Sequence, residues 1–292
     1  MTHSELSIAA AEQQRRAESR IGALLLAAGK ITPEHAERVL RMQDELGIRF
    51  GEAAQRLGLV DDDDIDQVLA RQFDYPYVQP GQGGCSPYLV AACDPFGARA
   101  ETLRAVRSQL LLRWFARGHK SLVVAGVGQG DGASLFAANL AVAFAQLGRR
   151  TLLVDADLRH PSQQAIFNTG ARQGLADMLA GRIESDLTEP LASFGTLSLL
   201  GAGTLPPNPQ ELLSRPAMTS LNAAFEARHD VVLYDVTPSA RALDALLLAA
   251  RTGAVLIVAR KHRTHLDQLH ALADKVGQNG AKVLGAVLVE FP

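Results

Sequence analysis

Apolar positions follow two regimes along the chain. Between residues 20 and 78 they recur at the three-to-four-residue spacing that lines one face of a helix, whereas beyond residue 100 short apolar runs alternate with longer helical patterns. The runs SLVVA (121–125), TLLVD (151–155), TLSLL (196–200), VVLYD (231–235), AVLIV (254–258) and KVLGAVLVE (282–290) predict strands. ETLRAVRSQLLLRWFA (101–116), LFAANLAVAFAQL (135–147), a segment from about Gln210 and LDQLHALADKVGQ (266–278) predict helices. Strands that lack polar alternation and are separated by helices are buried on both faces, so the pattern implies an α/β fold, a doubly wound parallel sheet. Polar, Ala-rich residues 1–19 predict a flexible tail, residues 20–78 a small, mainly helical N-terminal domain, Pro- and Gly-rich residues 79–98 a linker, and residues 99–292 the α/β domain.

The helical part contains a repeat. RIGALLLAAGKITPEHAERVLRMQ (20–43) and RFGEAAQRLGLVDDDDIDQVLARQ (49–72) have 24 residues each and are separated by DELGI. Thr32, followed by Pro33, and Asp61 are the candidate N-caps, and the aspartates 61–64 read as a capped, solvated first turn rather than a metal site.

Composition narrows the function. Of the 292 residues 47% are hydrophobic and 21% charged, as in a globular protein, and a net charge of −2 gives no general electrostatic reason to bind nucleic acid. Cys85 and Cys93 lack the partners of a metal site and fit a reducing cytoplasm. No stretch reaches the roughly 18 apolar residues of a membrane span, so no direct insertion is expected and contact with the inner membrane would go through a partner.

The candidate chemistry begins at GVGQGDGAS (126–134), between a strand and a helix. Gly128, Gly130 and Gly132 permit the backbone turns that aim N–H groups at phosphate oxygens, Asp131 lies within the same loop, and the Ser134 hydroxyl is placed for Mg²⁺. The position that carries lysine in such loops is Ala133. Loss of one preorganised donor costs roughly 10²- to 10³-fold in rate, so turnover should suffer more than binding. Asp155, Asp157 and Asp235, at or just beyond the carboxyl ends of two strands, suit Mg²⁺ and an attacking hydroxyl. Lys120 sits at the wrong end of its strand to replace the lysine; Arg260, Lys261 and Arg159 are the alternative cations.

Over residues 94–292 these stretches resemble the bacterial tyrosine kinase family, P-loop NTPase-like cytoplasmic proteins that pair with membrane chain-length determinants of exopolysaccharide synthesis, and among them the EpsG-type chain-length-determinant kinases. GQGDGAS, LLVDADLRHP (152–161), VVLYDVTP (231–238) and GTLPPNPQELLSRP (203–216) carry the likeness. The resemblance implies ATP or ADP with Mg²⁺, the latter held around Ser134, Asp157 and Asp235. It also implies Asp155 activating the acceptor hydroxyl and the 130–134 backbone, with Arg159 nearby, on the phosphates. Glu101, Arg104 and Arg107 fit the family's E-x-x-R-x-x-R pattern, which implies a homo-oligomer; a solvated helix face with an i,i+3 ion pair is the alternative. Ala133 departs from the family, as does a C-terminus without a tyrosine cluster: Tyr75, Tyr77, Tyr88 and Tyr234 all lie elsewhere. The expectation is a regulator of polysaccharide chain length or export with an impaired kinase site. An active autokinase or ATPase is the alternative, and a MinD- or ParA-like positioning ATPase a third, although Ala125, Gly126 and Val127 offer no second lysine.

The repeat resembles the N-terminal domain of type II secretion and type IV pilus ATPases, in which two such motifs bind cyclic di-GMP. Carried over, the ligand positions are Arg20, Ile21, Gly22, Gly29, Leu40 and Gln43, then Arg49, Phe50, Gly51, Gly58, Leu69 and Gln72. A helical docking module is the alternative.

Overall fold

The computed structural model describes residues 21–72, 78, 84–183, 185–238 and 243–290. The chain divides into two compact units, Met1–Tyr77 and Val78–Pro292.

The first unit contains helical residues 21–27 (α1), α2 (Pro33–Leu46), α3 (Phe50–Arg56) and α4 (Asp62–Gln72) around Leu25, Val39, Phe50, Ala53, Ala54 and Val68. The sequence repeat is a structural repeat. Gly29 and Gly58 both adopt left-handed φ, 69° and 66°, and end their helices with the same bonds, Lys30 N–H to the Leu25 carbonyl at 3.0 Å and Leu59 N–H to the Ala54 carbonyl at 3.1 Å. Thr32 then accepts the His35 N–H at 3.2 Å, and Asp61 the Asp64 N–H at 2.8 Å. The tail 1–19 lies outside the described residues.

The second unit opens with α5 (Val90–Cys93), α6 (Ala98–Arg113) and a 3₁₀ turn (Phe115–Arg117). There follow β1 (Ser121–Gly126), α7 (Ala133–Gln146), β2 (Thr151–Asp155), α8 (Gln163–Phe167), α9 (Leu175–Leu179), β3 (Glu189–Pro190) and β4 (Leu197–Leu200). The remainder is α10 (Pro209–Ser214), α11 (Pro216–Arg228), β5 (Val231–Val236), α12 (Asp244–Thr252), β6 (Ala254–Arg260), α13 (Leu266–Gln278) and β7 (Lys282–Val289). The strands form one sheet in the order β3-β4-β2-β5-β1-β6-β7. Successive strand residues feed opposite cores: Leu122, Val124, Leu153, Leu233 and Leu256 pack on the α7 face, and Val123, Ala125, Val154, Tyr234 and Ile257 on the other.

Three expectations are corrected. The sheet is not wholly parallel, because β3 pairs antiparallel with β4; at two residues it is too short to leave a period in the sequence. The helix expected from Gln210 is two helices, since Pro216 has no N–H to continue α10 and instead opens α11. The linker expected over 79–98 does not extend through its described part, where Leu89, Ala91 and Ala92 lie in the core of the second unit. Asn139 of α7 accepts the Ala91 N–H at 2.9 Å, and the Gln146 amide donates to the Ala91 carbonyl at 2.6 Å, so this segment is bound to the phosphate-loop helix. Among the described residues no helix is long and apolar enough to cross a membrane.

Candidate nucleotide site

β1 is flanked by β5 and β6, while the chain crosses from it through α7 to β2 beyond β5, which makes its carboxyl end the switch point where α/β sheets open a crevice. The loop 126–134 lies there. Gly130 (φ 80°) and Gly132 (φ 81°) are left-handed, the conformation that turns neighbouring N–H groups inward, and α7 starts at Ala133. Ala133 is buried and brings no charge. Some N–H groups of the cradle already have partners within it: the buried Asp131 carboxylate accepts from the Gly128 N–H at 2.6 Å, and the Gly128 carbonyl accepts from the Asp131 N–H at 3.3 Å.

Behind the loop, Asp155 and Asp235 stand opposite each other in the β2–β5 register. Asp155 accepts the backbone N–H groups of Ser162 and Gln163, both at 2.9 Å, and of Asp157 at 3.2 Å. Asp235 accepts from the Gln163 amide at 2.8 Å, and the nearby Ser134 side chain favours its charged form. Burial, opposed by the N–H donors, pushes the Asp155 carboxyl up to about 6. Burial and then the neighbouring charge of Asp155 push Asp235 well above the ordinary carboxylate range. Its Oδ1 is buried with no hydrogen-bond partner.

That orphaned oxygen, on a carboxylate near Ser134, fits a hard divalent cation, which takes few protein ligands when phosphate and water complete its shell. Asp157 is engaged differently. Its Oδ1 accepts the Thr237 hydroxyl at 2.6 Å and the backbone N–H groups of His160 at 2.9 Å and Arg159 at 3.1 Å, so it organises the loop after β2. Among the described residues no three His, Cys, Asp or Glu side chains converge as a metal cage.

The candidate cations separate. Lys120 donates to the Glu226 carbonyl at 2.5 Å, at the far end of β1. Arg159 pairs with buried Asp244 at 3.2 Å, and Lys261 with Glu290 at 3.1 Å. Arg260 reaches the loop and donates to the Gly130 carbonyl at 3.2 Å. Arg263, which no sequence motif marks, also lies against the loop, its guanidinium atoms 3.1–3.4 Å from the position a Cβ on Gly130 would occupy. Gln163 and Thr237 are the other site residues the motifs do not single out.

The E-x-x-R-x-x-R side chains take partners within the chain. Arg104 pairs with exposed Glu101 at 2.6 Å and donates to the Pro95 carbonyl at 2.5 Å, and Arg107 donates to the Ala143 carbonyl of α7 at 2.8 Å. In the N-terminal unit two of the carried-over glycines are explained by packing. A Cβ at Gly22 would stand 3.0 Å from the Phe50 ring, and one at Gly51 3.2 Å from Ile65. Phe50 is core, Ile21, Gln43 and Leu69 are half-buried, and Leu40 and Arg49 are exposed. Arg20 and the side chain of Gln72 lie outside the described residues.

A mostly parallel sheet with a glycine loop at its switch point and buried aspartates on the adjoining strands defines a P-loop NTPase-like protein. No protein-family model matches the chain. The tyrosine-protein kinase YwqD of Bacillus subtilis (strain 168) is 30% identical over 200 residues, covering 68% of this chain and 84% of the relative. The putative tyrosine-protein kinase EpsB of Ralstonia nicotianae is 34% identical over 200 residues, 68% of this chain and 27% of the relative, so the chain spans well under a third of the first curated relatives it matches. The crystal structure of the chimerical protein CapA2B2 superposes with a TM-score of 0.66 at 31% identity, over 77% of this chain and 99% of that one. This chain therefore belongs to the bacterial tyrosine kinase family.

Proposed function

We propose that the chain regulates exopolysaccharide chain length or export, binding Mg²⁺–ATP or Mg²⁺–ADP chiefly as a conformational ligand and transferring phosphate poorly. The observation that carries this reading is the mismatch at the site: the glycine cradle, Ser134, Asp155 and Asp235 are in place, while Ala133 opens α7 without an ammonium. Backbone donors need no cation to hold a phosphate, whereas charge developing on a transferred phosphoryl group does. When bound, Mg²⁺ would offset the negative charge of the phosphates. Ser134 and Asp235 would hold it, and Asp155 would take the proton of an acceptor hydroxyl.

The partner in this reading is a membrane chain-length determinant, docked at the cytoplasmic face of the inner membrane, with homo-oligomers formed through the face of α6 that bears Glu101. Support comes from the curated relatives and from the chimaera CapA2B2. The N-terminal unit is read as the cyclic di-GMP sensor, supported by the two-fold recurrence of caps and glycines. Exposed Arg49 and Leu40 would face ligand.

Isothermal titration of the full chain with Mg²⁺–ATP and, separately, cyclic di-GMP, alongside ³²P transfer from γ-labelled ATP, tests both halves. Two binding events with negligible transfer are expected. Failure to bind adenine nucleotide sinks the first half, and failure to bind the dinucleotide sinks the second. Transfer that vanishes in Asp155→Ala would instead favour the working autokinase, a reading to which the intact Asp155–Asp235 pair also lends itself.

A further inference from the structure

β6 ends at Arg260 in a tight turn. The N–H groups of Arg263 and Thr264 donate to the Arg260 carbonyl at 3.2 and 2.9 Å, the Thr264 hydroxyl accepts the Arg260 N–H at 2.7 Å, and His262 adopts a left-handed φ of 61°. A non-glycine residue in that conformation marks a turn held by its surroundings. The turn delivers Arg263 against Gly130, in the middle of the phosphate loop.

Two further facts bear on what Arg263 does there. Lys261 and Arg159 have carboxylate partners, but among the described residues no carboxylate pairs with Arg263, and its side chain is exposed. The loop it touches lacks its lysine and carries the buried carboxylate of Asp131, with Asp155, Asp157 and Asp235 buried on the adjoining strands. A polyphosphate entering this loop meets acidic groups and Mg²⁺, so a second positive charge is the missing element, and a planar guanidinium with several donors suits phosphate oxygens.

We infer that Arg263 is a phosphate-binding residue of this site, reaching Gly130 from the β6–α13 turn in place of the lysine absent at position 133. The inference rests on the nucleotide-binding reading above. Its consequence is selectivity by phosphate number: Arg263 holds the polyphosphate end of the ligand, so ATP and ADP feel it and AMP does not. The charge enters from a different element, so loop and turn are drawn together when ligand binds.

The test is competition of AMP, ADP and ATP, each with Mg²⁺, against a fluorescent ADP analogue on the full chain. Arg263→Met keeps the bulk of an exposed side chain, and an unchanged Tm verifies its fold. The expected result is a loss of about tenfold for ATP and ADP with AMP unaffected, the size of one charge-assisted hydrogen-bonding contact. Arg263→Lys should keep part of the affinity, and Ala133→Lys added to Arg263→Met should recover it. An equal loss for all three nucleotides would overturn the assignment, because Arg263 would then act on the base or on the fold. Unchanged affinities in Arg263→Met would also overturn it. A wild-type chain that binds none of the three removes the nucleotide reading itself, a failure recognisable before any variant is made.

Discussion

At the scale of residues, the site stores its cost in Asp155 and Asp235. In Asp155 the folded-state pKa, about 6, lies above the ordinary 3.8, so between those values the folded chain holds a proton that the unfolded chain releases. Stability therefore falls as pH rises through that window, opposite to the usual paired carboxylate. Asp235→Asn removes the more deeply buried titratable group and keeps an acceptor for the Gln163 amide. It should raise the Tm of the ligand-free chain at pH 7.5 by on the order of 3 °C, with the gain shrinking at pH 5, and abolish Mg²⁺-dependent nucleotide binding. A lowered Tm at pH 7.5 would show that Asp235 stabilises the fold. Protons compete with the cation for the Asp235 carboxylate, which burial pushes well above the ordinary range, so Mg²⁺–nucleotide affinity should weaken as pH falls, which titration at pH 5.5 and 7.5 measures.

At the scale of elements, the phosphate-loop helix is tied to the segment before α6. Buried Asn139 accepts the Ala91 N–H and donates to the Tyr88 carbonyl at 3.0 Å and the Leu135 carbonyl at 2.9 Å. Asn139→Ala strands buried backbone groups and should cost about 2 kcal/mol, a fall in Tm of about 4–8 °C by calorimetry. A change within error would mean that water takes over those bonds. Elements with a long period were legible in the sequence: LDQLHALADKVGQ is α13 to the residue, because one apolar face repeats over 13 positions. α12 and β3 were not, since nine- and two-residue elements give too few repeats. The site shows the same division. Asp155 and Asp235 are marked by strand ends, but Gln163 acquires its role from Asp235, 72 positions away, and Arg263 from a turn that closes on Gly130. Chain-distant contacts of that kind carry no local pattern.

At the scale of the whole molecule, a helical unit with duplicated caps precedes a kinase-family unit whose phosphate loop has lost its ammonium. If the N-terminal unit senses cyclic di-GMP, Arg49→Ala in the full chain should weaken the dinucleotide at least about tenfold, the weight of one charged contact, and leave Mg²⁺–ATP affinity in the second unit unchanged. Equal effects on both ligands would indicate general unfolding.

The central claim is that binding survives at Ala133 while transfer does not. Ala133→Lys in the full chain, with ATP hydrolysis and ³²P transfer measured beside ATP affinity, tests it most directly. Turnover should rise by about 10²-fold while affinity changes less than about tenfold. Brisk turnover by the unaltered chain, or a lysine variant whose turnover stays flat while its affinity climbs, would contradict it.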